Sequence, residues 1–245
     1  MTVMRIALLL SAAMLSAAPY AARAGDAADL EILGFSADGG IFAFEQYGEQ
    51  DGSGFPYAER FYIDTAKDAY LPGSPVRVRI ESEDASIDEA RQAARAKGES
   101  IVADAVLAQN RGYTAAMNPI GELSADPFRV VVNTRPLYPR AQDPVEFRLE
   151  ETDVPAAATC DNLGPVKGFR LTSIDGHEGG VTKLLHDDKS IPASRGCPLG
   201  YSIGAVQTYS SDVGETWAAV LLTVRSFGFE GPDYRWLAVT VPLDQ

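Results

Sequence analysis

Short runs of aromatic and β-branched residues, alternating with polar ones and broken by glycine, proline and aspartate, make up most of this chain. A period of two predicts strands. Nine of the 22 aromatic residues fall between Phe35 and Tyr70 and seven between Tyr201 and Trp236, so sheet is expected to concentrate toward both ends of the mature chain. In the first cluster, Asp38-Gly39 supplies the positive φ of a tight hairpin. Residues 41–47 then read as a strand, with Phe42 and Phe44 on one face and Ile41 and Ala43 on the other. A loop at 48–56 leads to a return strand at 60–65 that aligns Phe61 with Ile63, and 76–80 follows after Pro72, Gly73 and Pro75. The final segment repeats this plan loosely: a turn at 209–214, a strand at 217–225, a loop at 227–232 and a return at 235–241. The nearly unbroken apolar run 217–222 predicts a strand covered on both faces.

Between the clusters the period changes. Ser86-Ile87-Asp88-Glu89 is a capping box, in which the Ser86 hydroxyl accepts from the Glu89 N–H and the Glu89 carboxylate accepts from the Ser86 N–H. Helical composition continues through Ala90, Ala93, Ala94, Ile101, Val102, Ala105 and Val106 to about Asn110, with Gly112 as a stop. Gly98 costs about 1 kcal/mol against alanine inside a helix, so a kink or two shorter helices are expected there. Residues 128–133, 145–149, 168–174 and 181–186 read as further strands, and alanine-rich 155–159 as a linker. The expected fold is mainly β (α+β), an antiparallel sheet or sandwich with one helical excursion. A partial or irregular β-propeller is the alternative.

The first 24 residues are set apart by their pattern. Arg5 precedes a short apolar stretch, and Ala22-Arg23-Ala24 has the small-x-small form of a signal-peptidase site. The stretch is too short to span a bilayer, so it reads as an export signal that leaves one domain, 25–245. No other apolar run approaches spanning length. With no cysteine near the cleavage site and no aromatic-terminated last strand, neither a lipid anchor nor an outer-membrane barrel is expected. The mature chain carries 19 basic and 34 acidic residues, a net charge of −15. That field repels nucleic acid and anionic lipid and favours basic partners or cations. The two cysteines, Cys160 and Cys197, are expected to pair in an oxidising compartment.

Candidate chemistry is sparse. Glu49, Asp51 and Ser53 alternate ahead of Gly54 as in half of a calcium loop, but Arg60 stands where the closing glutamate belongs. His186, Asp187 and Asp188 are weak candidates for a metal site or a general base, since no H-E-x-x-H spacing fixes the histidines. No serine or threonine stands three residues before a lysine, and no glycine-rich loop opens a helix. No cofactor is expected. The polar run 185–198, tethered by its cysteine, offers Lys189, Ser190 and Arg195 as binding residues. The hairpin loops offer Phe55, Tyr57, Phe227 and Phe229.

Three strings, Phe42-Ala-Phe-Glu-Gln-Tyr-Gly-Glu-Gln-Asp-Gly-Ser-Gly-Phe-Pro-Tyr57, Ile63-Asp-Thr65 and Asp188-Lys-Ser-Ile-Pro-Ala-Ser-Arg-Gly-Cys-Pro-Leu-Gly-Tyr201, resemble a bacterial family of predicted secreted proteins. The resemblance implies export and carries no activity. Phe35-Ser-Ala-Asp-Gly39 before a strand also resembles one blade of the periplasmic Tol-system propeller. The reading that results is an exported, non-enzymatic envelope protein that binds a partner protein or envelope component through its loops. A metal-assisted hydrolase built on His186, Asp187 and Asp188 is the alternative.

Overall fold

The hairpin at Asp38-Gly39 forms as its residues dictate. Gly39 has φ +77°, its N–H donates to the Ser36 carbonyl, and Asp38 accepts from the Ser36 hydroxyl and the Gly40 N–H. It joins β1 (Asp29–Phe35) to β2 (Ile41–Glu49) in a computed structural model that describes residues 25–243, apart from 140–141, 156–159, 161–162, 164, 178 and 213. The proposed export signal and most of the proposed linker therefore lie outside the described residues.

Strands β3 (Pro56–Asp64), β4 (Ala69–Tyr70) and β5 (Val76–Arg79) complete a first antiparallel sheet in the order β1-β2-β3-β4, with β5 also paired to β3. Two helices follow, α1 (Ile87–Gly98) and α2 (Asp104–Gln109). The capping box at Ser86 and Glu89 is present, and the helical stretch divides just after Gly98. After β6 (Tyr113–Met117), the strands β7 (Arg129–Val132), β8 (Val145–Asp153), β9 (Lys167–Asp175) and β10 (Thr182–Asp187) form a second sheet in the order β10-β9-β8-β7. The long strands β11 (Pro198–Ser210), β12 (Thr216–Phe227) and β13 (Pro232–Leu243) then return to pair with β6, giving a third sheet, β13-β12-β11-β6.

This third sheet is the middle layer. Strand β12 shows why: Ala218, Val220, Leu222 and Val224 point to a core shared with Phe147, Leu149, Phe169 and Leu171 of the second sheet. Trp217, Ala219 and Leu221 point the other way, to Phe42, Phe44, Phe61 and Ile63 of the first sheet. Both faces are covered, as the apolar run predicts, and each fully buried phenylalanine or leucine contributes about 1.5–3 kcal/mol. The outer face of the first sheet carries Ala43, Ala58 and Tyr62 against Ala90, Ala94 and Leu107 of the helices. The order of layers is thus helices, first sheet, middle sheet, second sheet.

The two hairpins whose sequences echo each other, β2–β3 and β12–β13, contribute to a shared core and do not form a repeat. The propeller alternative is overturned: the three antiparallel sheets stack in layers and close into neither propeller nor barrel. Among the described residues no helix is long and apolar enough to cross a membrane.

Candidate functional site: a cleft along the edge of the middle sheet

Strand β13 is the edge of the middle sheet, and the outer sheets overhang it on both sides. Between the overhangs lies a cleft of about 450 Å³. Val224 and Ser226 of β12 and Trp236, Ala238 and Val239 of β13 form its floor. One wall is Glu59, Phe61, Asp68, Tyr70 and Arg77 from the first sheet, and the other is Phe169, His186, Ser194 and Arg195.

The second-sheet wall is organised by Asp188. Its carboxylate is buried and accepts from His186 Nε2 at 2.9 Å, the Phe169 N–H at 3.0 Å, and the Arg195 guanidinium. Burial alone would raise the Asp188 pKa, but these hydrogen bonds outweigh it and hold the carboxyl below its usual range. His186 stacks on Phe169 with ring centroids 4.4 Å apart, and the Arg195 guanidinium lies 5.2 Å from the Phe169 ring. Arg195 also donates to the Tyr201 hydroxyl at 3.3 Å, a phenol whose pKa burial pushes up to about 12. Cys160 and Cys197 are disulfide-bonded, which clips the short 3₁₀ turn Ala193–Arg195 in place two residues before Cys197.

The facing wall is equally well tied. Glu59 accepts from Arg77 at 2.9 Å and from the Gln46 amide at 2.7 Å, while Gln46 Oε1 accepts the Trp236 N–H at 2.6 Å. Asp68 sits in the left-handed region, φ +48°, where aspartate is tolerated better than most residues. Its Oδ1 accepts from the Thr240 N–H and hydroxyl. Burial pushes its pKa up.

The other residues singled out by sequence are scattered. Asp187 turns away from the cleft toward Arg170 and Lys189, so His186, Asp187 and Asp188 do not converge. Among the described residues no group of three or more His, Cys, Asp or Glu side chains is placed to hold a metal ion. Lys189 and Ser190 are exposed beyond the wall. Glu49 ends β2 and is exposed, and Ser53 donates to Gln50 Oε1 inside a compact turn. Asp51 accepts the Glu230 N–H at 2.7 Å, which ties this hairpin tip to the β12–β13 tip. Phe229 rests over Gly52 there and remains 80 % exposed, with Phe227 at 62 %. Phe55 is half-buried, whereas Tyr57 is buried within β3 and donates to Asp26.

Gly200-Tyr201-Ser202-Ile203-Gly204 has the G-x-S-x-G spacing of a nucleophile elbow. An elbow needs a sharp strand-to-helix turn, but Ser202 lies within β11 and its hydroxyl is bonded to Thr223. Gly204 instead leaves room for Trp236, whose ring would lie 2.3 Å from an added Cβ.

A family model described as predicted secreted protein (DUF2259) matches residues 43–242. The chain belongs to that family. The match takes in both walls of the cleft, and membership in DUF2259 makes this an exported protein. No curated protein and no solved structure matches the chain, and the Tol-system resemblance gains no support. In this DUF2259 protein Glu59, Asp68, Tyr70 and Arg77 join the site only through the fold. No local sequence signal marked any of them; the positive φ of Asp68 is visible only in the fold.

Proposed function

We propose that the mature chain, residues 25–245, works as a single exported domain that binds a ligand non-enzymatically in the cleft beside β13. One observation carries this reading: each of the three arginines that line the cleft is already paired with a carboxylate of this chain. Arg195 is held by Asp188, Arg77 by Glu59 and Arg235 by Asp26, so the site is preorganised for contact. Catalysis finds less support. Asp188 is shared between His186 and Arg195, and among the described residues no hydrogen bond joins His186 to a serine, threonine or cysteine, as an activated nucleophile requires. The hydrolase alternative therefore rests on a His–Asp pair alone.

A second binding reading has its own observation, the exposed Phe227 and Phe229 at the joined hairpin tips. Ser226, which lines the cleft, immediately precedes Phe227, so a protein partner in the cleft would reach this rim. Hydrogen exchange of the purified chain with and without envelope extract separates the two. The cleft reading expects protection at 68–70 and 193–195. Protection confined to 227–231 would move the site to the tip, and no protection at either place would remove the binding reading.

A further inference from the structure

The floor of the cleft is a strand edge left open for one residue, and we infer that it pairs with a short, extended, basic segment of a partner protein. This rests on the cleft being the binding site and names what enters it.

Strand alternation decides which main-chain groups of β13 face the cleft. In an antiparallel pair, every second residue turns its main-chain N–H and C=O away from its neighbour. The register of β13 with β12 runs unbroken from Pro232 to Leu243. Along its outer edge the Tyr234 N–H donates to the Asp26 carbonyl, and the Tyr234 carbonyl accepts from Ala28. The Trp236 N–H donates to Gln46 Oε1 and the Thr240 N–H to Asp68 Oδ1. These even-numbered residues therefore all face outward. Ala238 has the same parity, yet among the described residues no hydrogen bond reaches its N–H or C=O. Ala238 itself lines the cleft.

Exposed strand edges are commonly blunted by charge, proline or cover. Here Gln46 and Asp68 cap the N–H groups on either side, at Trp236 and Thr240, and leave Ala238 with both its N–H and its C=O uncapped within a walled cleft. A main-chain donor and acceptor on one residue match the donor and acceptor of one peptide residue, the contact by which an extended segment adds to a sheet. The capped N–H groups on either side keep the ladder short, and the volume suits a short segment. Charge selects its composition. Asp68 Oδ2 accepts no hydrogen bond among the described residues, whereas Arg77, Arg195 and Arg235, the three arginines of the lining, are each held by a carboxylate. The mature chain is acidic overall, so a segment with lysine or arginine beside the paired residue is favoured.

The test is an ¹⁵N NMR titration of the mature chain with acetyl-Lys-Val-Lys-amide, the same peptide N-methylated at valine, and maltotriose. Saturable downfield movement of the Ala238 amide, slower exchange of that proton, and about tenfold weaker binding of the N-methyl peptide are expected, as loss of one well-formed hydrogen bond implies. Equal binding of both peptides would overturn strand pairing. If maltotriose moves the Tyr70 and Arg195 resonances while the peptides leave Ala238 unmoved, the peptide inference falls and the cleft reading stands. If no probe moves any cleft resonance, both fall.

Discussion

Replacing Gly98 by alanine sets two effects against each other, and the structure decides the sign. Helix propensity favours alanine by about 0.8–1 kcal/mol. However, a Cβ at Gly98 would lie 2.1 Å from the Tyr62 hydroxyl and 3.2 Å from Arg60 Nη1. Neither group can yield. Tyr62 and Arg60 are fully buried, the hydroxyl accepts from Arg60 at 3.2 Å, and Arg60 is clamped by Glu45 and by both oxygens of Asp104. Overpacking costs about 1–3 kcal/mol, and loss of the charged hydrogen bond adds about 1.5–3 kcal/mol. The net expectation for Gly98→Ala is destabilisation of about 2–4 kcal/mol, a fall in Tm of about 5–15 °C for a chain of this length. Urea melts of Gly98→Ala, Tyr62→Phe and the double variant complete a cycle. Removing the hydroxyl should shrink the alanine penalty by at least about 1 kcal/mol. A Gly98→Ala protein as stable as wild type, or an equal penalty in both backgrounds, would refute the steric argument.

Other outcomes follow from the cleft walls. Because Asp188 has a lowered folded pKa, its contribution is present above the unfolded value of about 3.9 and is lost as pH falls through the folded one. Asp188→Asn should therefore be destabilised by about 3 kcal/mol at pH 7, with the difference from wild type closing in acid melts; a difference that persists unchanged at low pH would contradict this. Asp68 carries the opposite sign, since burial raises its pKa and ionisation costs stability as pH rises. Asp68→Asn keeps an acceptor for Thr240 and should raise Tm relative to wild type at pH 6.5 but not at pH 3.5; no pH dependence in the difference would count against burial as the cause. Replacing both cysteines by serine should cost about 3–4 kcal/mol on the chain-entropy model and loosen the Arg195 wall, seen as faster amide exchange at 193–195; unchanged exchange there would show that the clip does not hold the wall.

Much of the fold was legible because local chemistry agreed with it. Asp38-Gly39, the Ser86 capping box, the alternation of Phe42 and Phe44 with Ala43, and the doubly apolar run of β12 each point to what formed. Strand β11 was not legible. Gly200, Ser202, Gly204, Gln207 and Thr208 interrupt its apolar pattern, and register shifts near Gly200 and Gly204 change which residues face each core. Strand β6 is short and alanine-rich, and it is a strand only because β11 pairs with it. The cleft was half legible. Arg195 and His186 stood out in a disulfide-tethered polar run, whereas Glu59 and Arg77 read as ordinary outward charges on strands. Their role depends on the overhang of one sheet beyond another, and on contacts between Gln46 and Trp236, which are 190 residues apart.

The central claim is that the cleft beside β13 is where this exported protein meets its ligand. A photocrosslinking residue in place of Tyr70, which is 48 % exposed, tests it in living cells, compared with the same residue at Thr172 on the outer face of the second sheet. Each is repeated with Ala69→Trp, an exposed cleft position where the indole fills space without disturbing the core. The account predicts a discrete adduct from position 70 only, abolished by Ala69→Trp at unchanged Tm. Adducts of equal yield from both positions, or an adduct from position 70 that survives the filled cleft, would contradict it.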